Sequence, residues 1–174
     1  APIGIVLGAP ITLALRTLPI GRAPQERGIR GYVLSLLHSR YSRFLTNPVV
    51  AMLVFDGSMF ALYFTDLFKW LMSYHFGHFF MEIHFLIAGF LFFAALIGID
   101  PIPNKFPFVA RIVVILAAMS IHAFFSVSLM SSSVLVDGGY FAALDRPWWP
   151  DLLADQKTGA AFGWAFGEVP ILLA

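Results

Sequence analysis

The chain alternates long apolar runs with short polar or proline-bearing breaks. Residues 1–18 (APIGIVLGAPITLALRTL) form the first run, and residues 48–68, 76–99, 108–130 and 157–174 form four more. A helix needs about 20 apolar residues to cross the ~30 Å hydrocarbon layer of a bilayer, so the pattern predicts an all-α, polytopic membrane helical bundle with about five transmembrane helices. Asn47-Pro48 reads as a helix start. Asp100-Pro101-Ile102-Pro103 reads as a stop, because proline cannot continue a helix. Gly28 to Phe44 reads as an interfacial helix. Residues 131–155 read as a polar loop with the aromatic run Pro147-Trp148-Trp149-Pro150, and paired tryptophans suit a membrane interface. No repeat or linker divides the chain, so residues 1–174 read as a single domain. It opens and closes inside apolar runs and has no initiator Met, which reads as a fragment of a longer protein.

Composition strengthens the membrane reading. The chain is 59% hydrophobic and 12% charged, against about 25% charged residues in a soluble domain. A net charge of +1 with no basic block gives no support to a nucleic-acid partner. The absence of cysteine excludes disulfides and thiolate metal sites. Basic residues are unevenly shared between the two ends of the predicted bundle. Arg16, Arg22, Arg27, Arg30, Arg40, Arg43, Lys105 and Arg111 fall on one side, and Lys69, Arg146 and Lys157 on the other. The positive-inside rule then makes the Pro19–Asn47 loop cytoplasmic and the Ser131–Asp155 loop extracytoplasmic, in a multi-pass plasma-membrane protein.

The candidate chemistry sits in the half of the bundle that this orientation turns outward. His75, His78, Met81 and His84 follow one another at i, i+3 spacing along the start of the third run. At 1.5 Å per residue, His84 and His122 each lie roughly 12 Å inside, Glu168 roughly 16 Å and Asp56 roughly 18 Å. Met119 is one turn deeper than His122. Imidazole and thioether ligands suit copper, with methionine favouring Cu(I). His84 and His122 are the expected inner pair, Met81 and Met119 candidate soft ligands, and His75 and His78 an outer entry point. The i, i+3 series sweeps around its helix and suits a relay of two sites better than one closed site. Asp56 and Glu168 are candidates to balance the ion's charge. Each group also has a plainer role. A buried membrane histidine bridges helices by hydrogen bonding, a methionine fills gaps in packing, and Glu168 satisfies backbone freed by Pro170. There is no HExxH, P-loop or dinucleotide fingerprint, so no enzyme activity is expected.

Several stretches resemble the CtaG-like family of cytochrome c oxidase assembly membrane proteins. This is the actinobacterial type, sometimes fused to a CopD-like copper-resistance domain. The stretches are GAPITLALR, SRYSRFLTNPVVAMLVFDG with the following YFTDL, HFLIAGFLFFAALIGIDPIP, HAFFSVSLM and DQKTGAAFGWAFGEVP. The resemblance implies about seven spans in the whole protein. It also implies a copper chaperone that supplies the copper centre of a haem-copper oxidase from the extracytoplasmic side. Expected partners are a cytochrome oxidase subunit or other respiratory-complex membrane proteins, and the lipid bilayer. His84, His122, Asp155 and Glu168 match recurrent polar positions of that family. Two other readings stay open from the residues alone. One is a b-type haem protein with His84 and His122 as axial ligands of an electron-transfer centre. The other is a structural subunit or transporter whose polar groups only hold helices together.

Overall fold

The computed structural model describes residues 2–20, 28–104, 106–137, 139–144 and 151–173. Arg22, Arg27, Lys105, Arg146 and the Pro147–Pro150 run lie outside the described residues. The fold is all-α, with no strand among the described residues. The helices are α1 (Pro2–Leu7), α2 (Pro10–Thr17), α3 (Ile29–Leu37), α4 (Arg40–Leu45), α5 (Pro48–Tyr63), α6 (Leu67–Met72), α7 (His75–Ile97), α8 (Phe108–Ser131) and α9 (Leu152–Leu172).

Two helices, α7 and α8, are long and apolar enough to cross a membrane, rather than about five. The reasons for the other three are local. The first apolar run is broken at Gly8-Ala9. Pro10 disfavours right-handed helix at the residue before it, and Ala9 takes a left-handed conformation (φ 47°). The run at 48–68 gives α5 of 16 residues, roughly 24 Å long. It ends where the Thr65 hydroxyl turns the chain, accepting from Leu67 N–H at 3.2 Å, and α6 begins. The last helix is 21 residues long but carries Asp155, Gln156, Lys157 and Glu168 along with three glycines, which dilute its hydropathy. The expected interfacial helix is two short helices, α3 and α4, with Ser39 capping the second by accepting from Ser42 N–H at 3.2 Å.

The predicted start at Asn47-Pro48 is present. The Asn47 side chain accepts from Val49 and Val50 N–H at 3.0 and 3.4 Å. The predicted stop after α7 is present too, and it does more than end a helix. Gly98 closes α7 with φ 68°, a conformation that costs glycine little. Arg111 of α8 then donates to the carbonyls of Leu96 and Ile97 at 2.9 and 3.4 Å, satisfying the exposed end of α7. Asp100, 5% exposed, accepts from Thr12 N–H (2.8 Å), the Thr12 hydroxyl (2.7 Å) and Ile11 N–H (3.4 Å). Pro10 has no N–H to offer, so one carboxylate caps the first turn of α2 from 88 residues away. Asn104 donates to the Arg43 carbonyl and to Thr46 Oγ1, tying the same corner to the start of α5.

Between the ends, α8 packs on α9, α5 packs on both α7 and α8, and α1 packs on α7. Their shared core holds Val6, Ala51, Met52, Phe92, Leu96, Ala118 and Ile171. Phe55 stacks on Phe92 with ring centroids 5.4 Å apart. A second aromatic cluster, Phe60, Tyr63, Phe68 and Phe125, fills the other half of the bundle. The opposite end is closed by a tied-down loop. Asp137 accepts from Gly139 and Phe141 N–H at 3.0 and 2.7 Å. Gln156 of α9 accepts from Val136 N–H and donates to Val134 O.

The corner formed by Asp100 gives a direct test. Asp100→Ala is expected to destabilise the fold by about 1–2 kcal/mol, read as a lower thermal midpoint in detergent. Asp100→Asn keeps the oxygen that serves both Thr12 donors and should lose roughly half as much. An alanine variant that melts with the wild type would mean α2 is held by something else.

Candidate functional site

The site is built where α8 meets α9. Glycine recurs on α9 at 159, 163 and 167, one residue every four, so all three share a face. Gly167 lies directly beneath the His122 ring. A Cβ there would sit 2.9 Å from His122 Cε1 and closer still to Nε2. The ring occupies the space that the missing side chain leaves. Its Nε2 lies 3.3 Å from the Gly163 carbonyl oxygen. A carbonyl only accepts, so Nε2 donates to it, and in the neutral ring the lone pair is then on Nδ1. Nδ1 is buried and has no hydrogen-bond partner. A backbone carbonyl that fixes one ring nitrogen and frees the other is a recurrent support for metal-binding histidine.

Among the described residues, the buried side-chain nitrogens and oxygens without a partner are four: His122 Nδ1, His84 Nε2 and both carboxylate oxygens of Asp56. All belong to residues that the depth argument placed in one band. Asp56 is 2% exposed. A polar group left unpaired in an apolar interior costs several kcal/mol, roughly 2–7, so three such residues in one bundle call for an explanation. His84 lies on α7 in a hollow of about 140 Å³, with Met81 one turn before it and Ser58 and Leu62 across from it on α5. Phe80 stacks near its ring at 6.0 Å and Phe85 meets it edge-on at 5.3 Å.

His122 opens elsewhere. It lines a loop-side cavity of about 350 Å³ together with Met59, Ser126, Asp155, Gly159 and Gly163. It also lines a second cavity of about 510 Å³ with Phe55, Met59, Glu82 and Gly167. His84 and His122 therefore face separate hollows, and no three His, Asp or Glu side chains among the described residues are grouped to hold one ion. Met81 keeps company with His84, whereas Met119 packs against the core. His75 and His78 are exposed near the start of α7, and His78 Nδ1 lies 3.8 Å from Glu82. Asp155 is exposed at the wall of the loop-side cavity. Glu168 is half-buried, one residue past Gly167. Sequence reasoning missed Met59, the methionine common to both cavities at His122. Its signal was present, one turn beyond Asp56 in DGSMF.

The family model described as "Cytochrome c oxidase caa3 assembly factor (Caa3_CtaG)" matches residues 1–174. The chain is 42% identical over 172 residues to "Uncharacterized protein Mb0105" of Mycobacterium bovis, and 41% identical over 172 residues to "Uncharacterized protein ML1998" of Mycobacterium leprae. Each match covers 99% of this chain and 26% of the relative, so the chain spans about a quarter of the length of these relatives. No solved structure matches. The glycine-bedded His122, the Asp100 corner and the NPVV start of α5 all lie within the matched residues, and the chain belongs to the family of cytochrome c oxidase caa3 assembly factors.

Proposed function

We propose that this chain is the copper-handling bundle of an integral membrane assembly factor that helps deliver Cu(I) to a haem-copper oxidase. The observation that carries the reading is the setting of His122: one ring nitrogen held by the Gly163 carbonyl, the other buried and unpartnered. Family membership supplies the oxidase. The donor chemistry favours the metal, because with no cysteine available the soft donors left are thioethers beside imidazoles.

Two stations fit the two separate hollows. One is His84 with Met81, and the other is His122. His75 and His78, exposed near the start of α7, are the entry point to the His84 station. Low coordination number at each station suits a carrier that must release its ion. Transfer is ligand exchange, in which one imidazole or thioether leaves the ion as the next arrives, with no covalent chemistry. Asp56 lies at the same depth, buried and without a hydrogen-bond partner. Glu168 and Asp155 are weaker supports, being half-buried and exposed. A haem held between His84 and His122 needs both rings to face one iron, and their separate hollows give that reading no support.

The membrane setting rests on the surface of the bundle. Phe76, Phe79, Ile87, Phe108, Val113, Leu116, Phe124, Phe162 and Phe166 on α7, α8 and α9 are all more than half exposed. An apolar belt of that extent suits lipid. Arg16, Arg40, Arg43 and Arg111 gather at the end that holds the Asp100 corner, and Asp137, Asp151 and Asp155 at the other. The first end is the cytoplasmic one on this reading. The recipient is an oxidase subunit or another respiratory-complex membrane protein.

Gly167 separates this reading from mere helix packing. Gly167→Val drives a side chain into the His122 ring, and loss of such orienting support typically costs about 10–100-fold in metal affinity. The full-length protein is titrated anaerobically with Cu(I) against a chromophoric competitor. Weaker binding in Gly167→Val and in His122→Ala, with both still folded, supports the proposal. Unchanged affinity in both would remove His122 from the copper path. Replacing His75 and His78 with Ala together should slow loading while leaving the final occupancy intact, measured by stopped-flow uptake. An equal rate would argue against the entry role.

A further inference from the structure

We infer that Met59 is the thioether partner of His122, and that the two form a soft-metal gate between the cavities, entered from the loop side past Asp155. The inference rests on the copper reading above and adds the missing ligand and the route.

Met59 and His122 are on different helices, α5 and α8, yet both line the loop-side cavity and both line the second cavity. Both side chains are half-buried. An ion passing from one cavity to the other passes these two donors. The lone pair on His122 Nδ1 is unpartnered, and Met59 can offer its thioether to a soft cation. Met119, the other candidate for this station, lines neither cavity.

The loop-side cavity has the features of an approach channel. Gly159 and Gly163 line it, and a Cβ added to either meets nothing within 4 Å. The absent side chains keep that wall open. Asp137 and Gln156 also line it, but their polar atoms are committed to the loop backbone. Asp155 is the carboxylate at this wall with no such commitment, and it is exposed to the outside. Further in, Phe125 and Leu129 make the lining apolar, so only a weakly hydrated cation with soft donors waiting is favoured. A thioether and an imidazole select Cu(I) over Zn(II), which prefers four harder ligands.

The test uses the full-length protein in the His84→Ala background, which leaves the His122 station alone. Leucine matches methionine in volume, so Met59→Leu removes sulfur with little change in packing. Met59→Leu is expected to weaken Cu(I) binding by about tenfold or more, and Met119→Leu to leave it unchanged. Gly159→Leu, which fills the channel, is expected to slow Cu(I) uptake. Copper X-ray absorption on the His84→Ala protein should show a sulfur neighbour that Met59→Leu removes. If the His84→Ala protein binds no Cu(I), the His122 station itself fails and the proposed function with it. If it binds Cu(I) with no sulfur neighbour, or if Met59→Leu binds as tightly, the function stands and the Met59 gate is wrong. Uptake at wild-type speed in Gly159→Leu would overturn the route.

Discussion

The hydrogen bond from His122 to the Gly163 carbonyl is the constraint on which the functional account depends. It sets the tautomer, and the tautomer decides that a basic nitrogen faces an apolar interior with no donor to meet it. That arrangement is unfavourable for folding alone. It holds because Gly167 leaves room for the ring against α9 and because α8 and α9 pack closely. The bundle thus keeps this nitrogen without a hydrogen-bond partner inside the protein.

The ends of the bundle make that possible. Asp100 and Arg111 act at the same corner in opposite senses. The carboxylate caps the donors of α2 and the guanidinium caps the acceptors of α7. Each ion meets the helix end of opposite partial charge. The corner ties the start of α8 to the end of α7, and the start of α2 to the turn that follows α7. At the other end, Asp137 and Gln156 hold the loop down without covering the exposed Asp155. Each end is thus held by buried or half-buried polar side chains on backbone groups.

Much of this was legible in the sequence, for identifiable reasons. The starts at Asn47-Pro48 and the stop at Asp100-Pro101 are backbone chemistry and read directly. Depth along α5, α7 and α8 picked out Asp56, His84 and His122, because ionisable groups in an apolar helix are rare and their position follows from the rise per residue. Span count was read too generously. Hydropathy alone does not register Ala9 turning left-handed ahead of Pro10, or α5 stopping at Tyr63. Rotation about each helix axis was also out of reach. It decides that His84 shares a hollow with Ser58 while His122 lines cavities with Met59, and equal depth does not bring two side chains into one hollow. Met59 was missed because a methionine in an apolar run carries no charge to mark it.

The most direct test of the central claim is copper content together with an optical spectrum, taken on one purified sample of the full-length protein supplied with Cu(I) and haem during expression. The comparison is wild type against His84→Ala/His122→Ala. The account predicts bound copper in the wild type, its loss in the double variant, and no Soret band in either. Copper retained by the double variant, or a Soret band that disappears with the two histidines, would contradict it.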